Sequence, residues 1–434
     1  MQHGNGGPVP GGRNGTRANP LVLSLFAAVV LAIAASAVLL AARPKFLTAQ
    51  RRTGPGHTLR VADHHGVAVV AATRRVGEAP PPTPAPRAAP LRALSTRAAP
   101  LRALSTWPHN GALGVPPLQP IEVVFSSALA VAPAPLLNPP IAGSWEKVSP
   151  TELEFKPTAP PLPLTTEHLV IPGGPGGPRS RDGATLPASV AIKWQVANGS
   201  VLRTQQILAQ LGFLPVQFSQ TGPLPAGPTP EVAALFHPPH GNFHWRYPDI
   251  PASLQRAWVP GAANIMTRGA IVAFERANKM VAYTTVRPGL WPALLAAERA
   301  GTLNPKGYSY AMVSEDQPES VAIWHNGTIV YRSAANTGLP SNPTPVGTFF
   351  IYLRYRSQTM QGYNPNGNYY IDHGVRWVNY FDGSDAIHGF IRSSYGFPQS
   401  LGCVELPVGN AAVAWTWLHY GTLVTVSPPV PAGR

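Results

Sequence analysis

Cys403 is the only cysteine in a chain of 434 residues. It lies in the stretch Ser384 to Pro407, SDAIHGFIRSSYGFPQSLGCVELP, downstream of an Ile-His-Gly that contributes His388. One thiol and one imidazole are enough for covalent chemistry. The thiolate is the nucleophilic form of cysteine, and an imidazole that takes its proton lowers its pKa from about 8.5 towards neutrality. Gly402 lets the backbone pass close to a substrate carbonyl, and the successive N–H groups of Gly402 and Cys403 would then form an oxyanion hole. The plain alternative is that a lone cysteine is a small buried hydrophobe. A single cysteine excludes an intramolecular disulfide framework, and an odd thiol left in an oxidising compartment would be one that reacts.

The elements that must position these groups are strands. Gly307 to Ser427 reads as one β-rich domain. Ser320–His325 and Thr328–Ser333 are two β-type runs separated by Asn326-Gly327, the strongest two-residue hairpin signal. Gly421 to Val426, GTLVTV, is a further strand after the cysteine. Between Arg356 and Asp385, Met360, Tyr363, Tyr369, Tyr370, Trp377, Tyr380 and Phe381 stand among Gly and Asn, which reads as an aromatic-rich loop serving surface packing or a site.

Four motifs then occur in order within this domain: Thr337-Gly338, the run TPVGTF from Thr344 to Phe349, His388-Gly389, and SLGCVEL from Ser400 to Leu406. Together they resemble the YkuD-type L,D-transpeptidase family of cell-wall enzymes. The resemblance implies a YkuD-like β-sandwich at 307–427, with Cys403 as nucleophile and His388 as general base, the imidazole oriented by the backbone carbonyl of Gly389 and Gly402 beside the nucleophile. It also implies a capping loop over the substrate cleft, which the aromatic segment would supply. Ser400, Leu401, Glu405, Tyr380, Phe381 and Met360 are the expected substrate contacts. Two positions depart from the family's common pattern. Leu401 stands where His or Lys is frequent, removing a polar contact, and Glu405 stands where Arg or Asn is frequent, bringing an acid near the thiol. The implied reaction is attack on the carbonyl of the third stem residue of peptidoglycan, release of the terminal D-Ala, and transfer of the thioester to an amine, giving a 3→3 crosslink. Water in place of the amine makes an L,D-carboxypeptidase. The partners implied are donor and acceptor stem peptides, and neither a metal nor an organic cofactor is needed. The other readings are a non-catalytic wall-binding protein and a cysteine peptidase of unrelated fold, the latter leaving the Thr344–Phe349 motif unexplained.

Upstream, short alternating strands at 107–198 separated by Pro and Gly predict a small β-sandwich. Its wording, PLQPIEVVFSSAL and then PLLNPPIAGSWEKVSPTELEFKP, resembles bacterial Ig-like domains. At 199–303 the period changes. Val201, Ile207, Leu208 and Leu211 form one helical face, stopped by Gly212 and Pro215. This resembles the first helix of a peptidoglycan-binding domain. Thr267, Ala273-Phe274 and Trp291 stand where that family places its Thr, apolar-aromatic pair and aromatic, Glu275 replaces the usual Gln, and a long inserted loop runs from about Thr221 to Ala263. His237, His240 and His244 lie in the insert without an accompanying carboxylate, so no metal site is expected.

The N-terminal part reads as a tether. Residues 1–20 are polar, a cytoplasmic tail. Leu21 to Ala42 is free of charge, and its twenty-two residues as a helix span roughly 33 Å, enough for a bilayer core. Ala35-Ser36-Ala37 offers a cleaved signal peptide as the competitor. From 43 to 106 the chain is a basic, Pro/Ala-rich spacer, with eleven Arg or Lys against Asp63 and Glu78, a polyproline stretch at Pro80 to Pro86, and the decapeptide RAAPLRALST twice in tandem, Arg87–Thr96 and Arg97–Thr106. The net charge of +14 calls for an acidic partner. The spacer lacks the aromatic interleaving of a nucleic-acid groove, so anionic wall polymers are expected and nucleic acid is not. The whole chain is therefore expected to be mainly β, a single-pass protein of the cell membrane with its catalytic domain outside the cytoplasm.

Overall fold

A computed structural model of the protein describes residues 99–430. The readings made for 1–42 and for the spacer up to residue 98 lie outside them. Among the described residues no helix is long and apolar enough to cross a membrane, and strands predominate. The first nine are β1 (Ala103–Trp107), β2 (Ile121–Phe125), β3 (Leu129–Val131), β4 (Leu136–Asn138), β5 (Gly143–Ser149), β6 (Glu152–Pro157), β7 (Thr166–Ile171), β8 (Arg179–Ser180) and β9 (Val190–Gln195). They form where β-branched and aromatic residues alternate with polar ones between Pro and Gly clusters. The alternation buries one face of each sheet. A sheet ordered β1-β2-β6-β5 and a sheet ordered β4-β7-β9 share a core in which Val123, Phe125 and Phe155 meet Leu169, Ile171 and Trp194.

This unit starts earlier than its expected boundary at Trp107. Leu101 is fully buried in the core, and Ala103 to Trp107 pair with Glu122 to Phe125. The second copy of the decapeptide is therefore folded structure rather than spacer. The local signal of the decapeptide does not reveal this; its pairing with β2 does.

Residues 201–300 are largely helical: α1 (Val201–Gln210), β10 (Val216–Gln220), α2 (Pro230–Phe236), β11 (Gly241–Trp245), α3 (Ala252–Arg256), α4 (Ile265–Ala277) and α5 (Leu290–Ala300). Ser200 caps α1 by accepting from the Arg203 N–H, and Asn264 caps α4 by accepting from that of Thr267, as short polar side chains do at helix starts. The segment read as an inserted loop contains α2, β11 and α3, and β11 pairs with β10. Phe274 and Trp291 are completely buried and Thr267 nearly so, so these side chains build the core. Thr267 Oγ1 accepts from Gln205 Nε2 at 2.8 Å. His237, His240 and His244 are exposed.

The remaining elements are β12 (Ser309–Ser314), β13 (Ser320–His325), β14 (Thr328–Ala334), β15 (Gly347–Phe350), β16 (Leu353–Tyr363), β17 (Tyr369–Asp382), β18 (Asp385–Gly389), β19 (Val404–Leu406), α6 (Val408–Trp417) and β20 (Leu423–Ser427). One sheet is ordered β14-β13-β12-β20-β15 and the other β16-β17-β18-β19. Asn326 and Gly327 make the β13–β14 turn at φ 46° and 104°, the left-handed values a two-residue hairpin requires. Val313, Ile323 and Val424 of the first sheet pack with Phe381, Ile387 and Val404 of the second. The other face of the first sheet is covered by the helical region, whose core continues through Tyr310, Trp324, Phe350 and Leu423. Two glycines permit that approach: a Cβ on Gly421 would stand 2.2 Å from the Gly269 carbonyl oxygen of α4, and one on Gly269 would stand 2.7 Å from that of Gly421.

Leu101→Ala removes a fully buried side chain and is expected to cost about 2–4 kcal/mol. Urea unfolding of the full-length chain followed by Trp fluorescence checks this. An unchanged midpoint for the transition that reports Trp145 and Trp194 would place Leu101 outside the fold.

Candidate active site

β18 lies at the centre of its sheet, antiparallel to β17 and parallel to β19, with His388 opposite Glu405 in register. β18 is buried on both faces, Ile387 toward the core and His388 toward the cleft, where it is only 2% exposed. Its Nδ1 lies 3.2 Å from the Gly389 carbonyl oxygen. With Nδ1–H donating there, Nε2 keeps its lone pair, the tautomer a general base needs. Burial pushes the imidazole below its ordinary value, and the bond to Gly389 opposes that. Gly389 itself sits tight over α6, its notional Cβ 3.1 Å from the Val408 Cα.

Cys403 immediately precedes β19, half-buried. Its loop is clamped from below by the two threonine motifs. The Thr337 carbonyl accepts from the N–H groups of Gln399 and Ser400 at 2.9 and 3.0 Å, Leu339 N–H donates to the Ser400 carbonyl, and Asn336 and Glu405 exchange both backbone bonds at 2.9 Å. Thr344 Oγ1 donates to the Gly402 carbonyl at 2.8 Å and accepts from the Gly338 N–H at 2.9 Å. Beneath them the buried Glu319 carboxylate accepts from Thr337 N–H and Oγ1 at 2.6 and 2.8 Å. Gly402 adopts φ 111°, and a Cβ there would stand 2.4 Å from Asp385 Oδ1. Conformation and space both demand glycine at this position.

The thiol and imidazole open on one cleft of about 740 Å³, which Met360, Tyr370, Tyr380 and Leu401 also line. In this structure Cys403 Sγ donates to the Ser384 carbonyl at 3.7 Å, not to His388. Burial pushes the thiol up to about 12, an N–H of Ala386 aimed at the sulfur pulls against this, and the carboxylates of Asp385 and Glu405 add to the rise. The resting pair is thus neutral thiol and neutral imidazole.

Several expected contacts occupy other roles. Phe381 does not line the cleft; it is 4% exposed in the core between the sheets, its ring 5.6 Å from that of Phe349. The strand alternation that turns Tyr380 to the cleft turns Phe381 away from it. Ser400 is also buried away from the cleft. Its hydroxyl donates to the Cys403 carbonyl and accepts from the Gly402 N–H at 3.2 Å. That second bond corrects the expected oxyanion pair, since the Gly402 N–H is already engaged, whereas the Cys403 N–H makes no hydrogen bond among the described residues. Glu405 does line the cleft, where Arg392 binds it in a fork, Nε to Oε2 at 2.7 Å and Nη2 to Oε1 at 2.8 Å, so the acid at this position carries its own counter-charge. The aromatic segment is not a loop but the long hairpin β16–β17. Tyr370 and Tyr380 face the cleft, while the exposed Tyr363 and Tyr369 meet edge to face near the hairpin's tip, their ring centroids 5.0 Å apart.

Sequence reasoning missed Asp385, Asp372, Arg392 and Glu319. The available signal was scarcity: with only 19 acidic residues in the chain, carboxylates inside or just before the motif-bearing strands carry information. No group of three or more His, Cys, Asp and Glu among the described residues could hold a metal ion.

Residues 309–426 match the YkuD family, the L,D-transpeptidase catalytic domain. This stretch of the chain is a YkuD-type L,D-transpeptidase domain. Solved structures similar to the chain include an L,D-transpeptidase from Mycobacterium smegmatis (13% identity, 76% of this chain and 100% of that one, TM-score 0.25). Another is L,D-transpeptidase 3 from Mycobacterium tuberculosis (12%, 75% and 98%, 0.25). A third is the catalytic domain of an E. faecium L,D-transpeptidase (23%, 27% and 96%, 0.26). No curated protein matches the chain.

Asp385, lifted to about 6 by burial first and Asp382 second, gives two linked expectations for Asp385→Asn. Removing a negative neighbour favours the thiolate, so ultraviolet thiolate absorbance is expected to titrate at lower pH than in the wild type. The folded value also exceeds the unfolded value of about 3.9. Asp385 therefore costs nothing below that pH, and its cost grows to its full extent as pH rises through about 6. The variant is expected to gain stability at pH 8 and none at pH 3.5. An unmoved thiol titration would separate Asp385 from the sulfur.

Proposed function

We propose that this protein is a cysteine-dependent L,D-transpeptidase that forms 3→3 peptidoglycan crosslinks through a thioester on Cys403. The observation that carries this reading is the sharing of one cleft by Cys403 and by an imidazole whose Nδ1 is fixed on the Gly389 carbonyl. Because thiol and imidazole rest neutral, the proton moves with the attack rather than before it. His388 Nε2 takes the proton as Sγ bonds to the carbonyl carbon of the third stem residue, and the carbonyl electron pair moves onto oxygen, where the Cys403 N–H is free to donate. Collapse breaks the C–N bond. The leaving D-Ala amine receives the proton from His388, and the thioester remains.

An acceptor amine then attacks the thioester, His388 takes its proton, and the thiolate leaves and is reprotonated. Water in the amine's place gives the carboxypeptidase outcome. The substrate contacts supporting this reading are Met360, Tyr380 and Leu401, while Ser400, Gly402 and the Arg392–Glu405 pair position the nucleophile loop. We also infer a membrane tether at Leu21 to Ala42 and a basic spacer suited to anionic wall polymers, with the β-sandwich whose core includes Leu101 as an Ig-like spacer domain and 199–303 as a peptidoglycan-binding-like module. These assignments rest on sequence alone.

Incubating the full-length chain with a carbapenem under reducing conditions is expected to add one drug mass to the wild type and none to Cys403→Ala, read by mass spectrometry. His388→Gln is expected to acylate at least about a hundredfold more slowly, the usual share of a general base. An unmodified wild type would overturn the enzyme reading in favour of a wall-binding protein. Muropeptide analysis with a tetrapeptide donor then divides crosslinking from hydrolysis.

A further inference from the structure

A second cavity, of about 320 Å³, opens where α4, the turn before β12, the start of β16 and the turn before β20 meet. Four of its lining residues are basic, Arg276, Lys306, Arg354 and His419, and none is Asp or Glu. Among the described residues no ion pair engages Arg276, Lys306 or Arg354. Arg354 is half-buried; a guanidinium withdrawn from water is normally paired, and here the partner of opposite sign is missing.

Two of the cations are held in place. The Arg354 guanidinium lies 3.6 Å from the Trp415 ring centroid. It donates from Nε to Asn379 Oδ1 at 2.8 Å and from Nη2 to the Trp415 carbonyl at 2.9 Å, which leaves Nη1 unused. Arg276 lies 4.2 Å from the Tyr420 ring centroid. Stacked guanidinium planes of this kind are set to receive an oxyanion with little entropy left to lose. Lys306 is exposed and adds a mobile charge. His419 is pushed down to about 4, by burial first and then by Arg354, Lys306 and His325, so the imidazole is neutral. The rest of the wall is largely apolar, with Phe213, Ala273 and Tyr420.

We propose that this cavity binds an organic anion, a phosphate or carboxylate head on an apolar body, with the head on Arg354, Arg276 and Lys306 and the body against Phe213 and Ala273. The site lies apart from the Cys403 cleft, and the two share no lining residue. It is independent of the proposed reaction. Arg354 also belongs to β16, whose Gln358 and Met360 line the catalytic cleft, so the ligand would hold the root of that hairpin.

The test titrates the full-length chain, labelled with ¹³C-histidine, with phenyl phosphate, benzoate, inorganic phosphate and neutral benzyl alcohol. The His419 signal is assigned by its loss in His419→Gln. Phenyl phosphate or benzoate is expected to shift that signal saturably and to move its titration midpoint upward from about 4, since an anion favours imidazolium. Whichever of the two binds more tightly names the head group. Inorganic phosphate is expected to bind more weakly, benzyl alcohol not to shift the signal, and the double variant Arg276→Ala/Lys306→Ala, both changes on exposed side chains, to lose at least tenfold in affinity. Equal response to benzyl alcohol, unchanged affinity in the double variant, or no response to either aromatic anion would each overturn the proposal.

Discussion

The backbone ladder between Asn336–Leu339 and Gln399–Glu405 is the constraint on which the site depends. A cysteine in a surface turn has no fixed direction. This one is flanked on its N-terminal side by bonds from Thr337 and Leu339, capped by Thr344 on the Gly402 carbonyl, and followed at once by β19. Glu319 completes the arrangement by accepting both polar hydrogens that Thr337 offers. A buried carboxylate is costly, and burial raises the Glu319 pKa while the two Thr337 bonds oppose the rise. The carboxylate is tolerated because its hydrogen-bonding capacity is used. The threonines of the motifs thus act on the main chain of the Cys403 loop.

The electrostatics of the cleft follow from the same packing. Placing His388 in a central strand removes it from water and lowers its basicity, and burying Cys403, with Asp385 beside it as a smaller cause, raises its acid pKa. Both shifts favour the uncharged forms of the pair. The fork between Arg392 and Glu405 fits this pattern. It neutralises the one acid that register places directly across from His388, while the guanidinium also stacks on Phe390 at 4.7 Å.

The helical region is more than an appendage. Its core runs without interruption into the outer face of the five-stranded sheet, and the Gly269–Gly421 crossing fixes the distance between α4 and the turn before β20. Tyr310 illustrates the fusion, its hydroxyl donating to Ser253 of α3 at 2.7 Å and bonding with Thr425 of β20. The positions that invited comparison with a wall-binding module are buried within the helical region itself, Thr267 on Gln205, Phe274 against Phe213 and Trp291 against Gly199.

What the sequence determined by itself was local. Asn326-Gly327 dictates a hairpin because few dipeptides tolerate two left-handed residues. The β-branched alternation of 121–125 dictates a strand with one buried face, and the single thiol with a histidine and the threonine motifs defines where chemistry would occur. Gly402 was legible as a glycine, though its reason, the Asp385 carboxylate against its Cα, was not. Tertiary structure decided whatever depends on residues distant in the chain. Asp385 and Arg392 gained their roles only when β18 and β19 came side by side. Phe381 and Tyr380, adjacent and both aromatic, were parted by the pleat of β17, one to the core and one to the cleft. The segment Arg97–Thr106 shows the limit most plainly: its composition reads as spacer, and only β2 beside it and the core beneath gave Leu101 a place to enter.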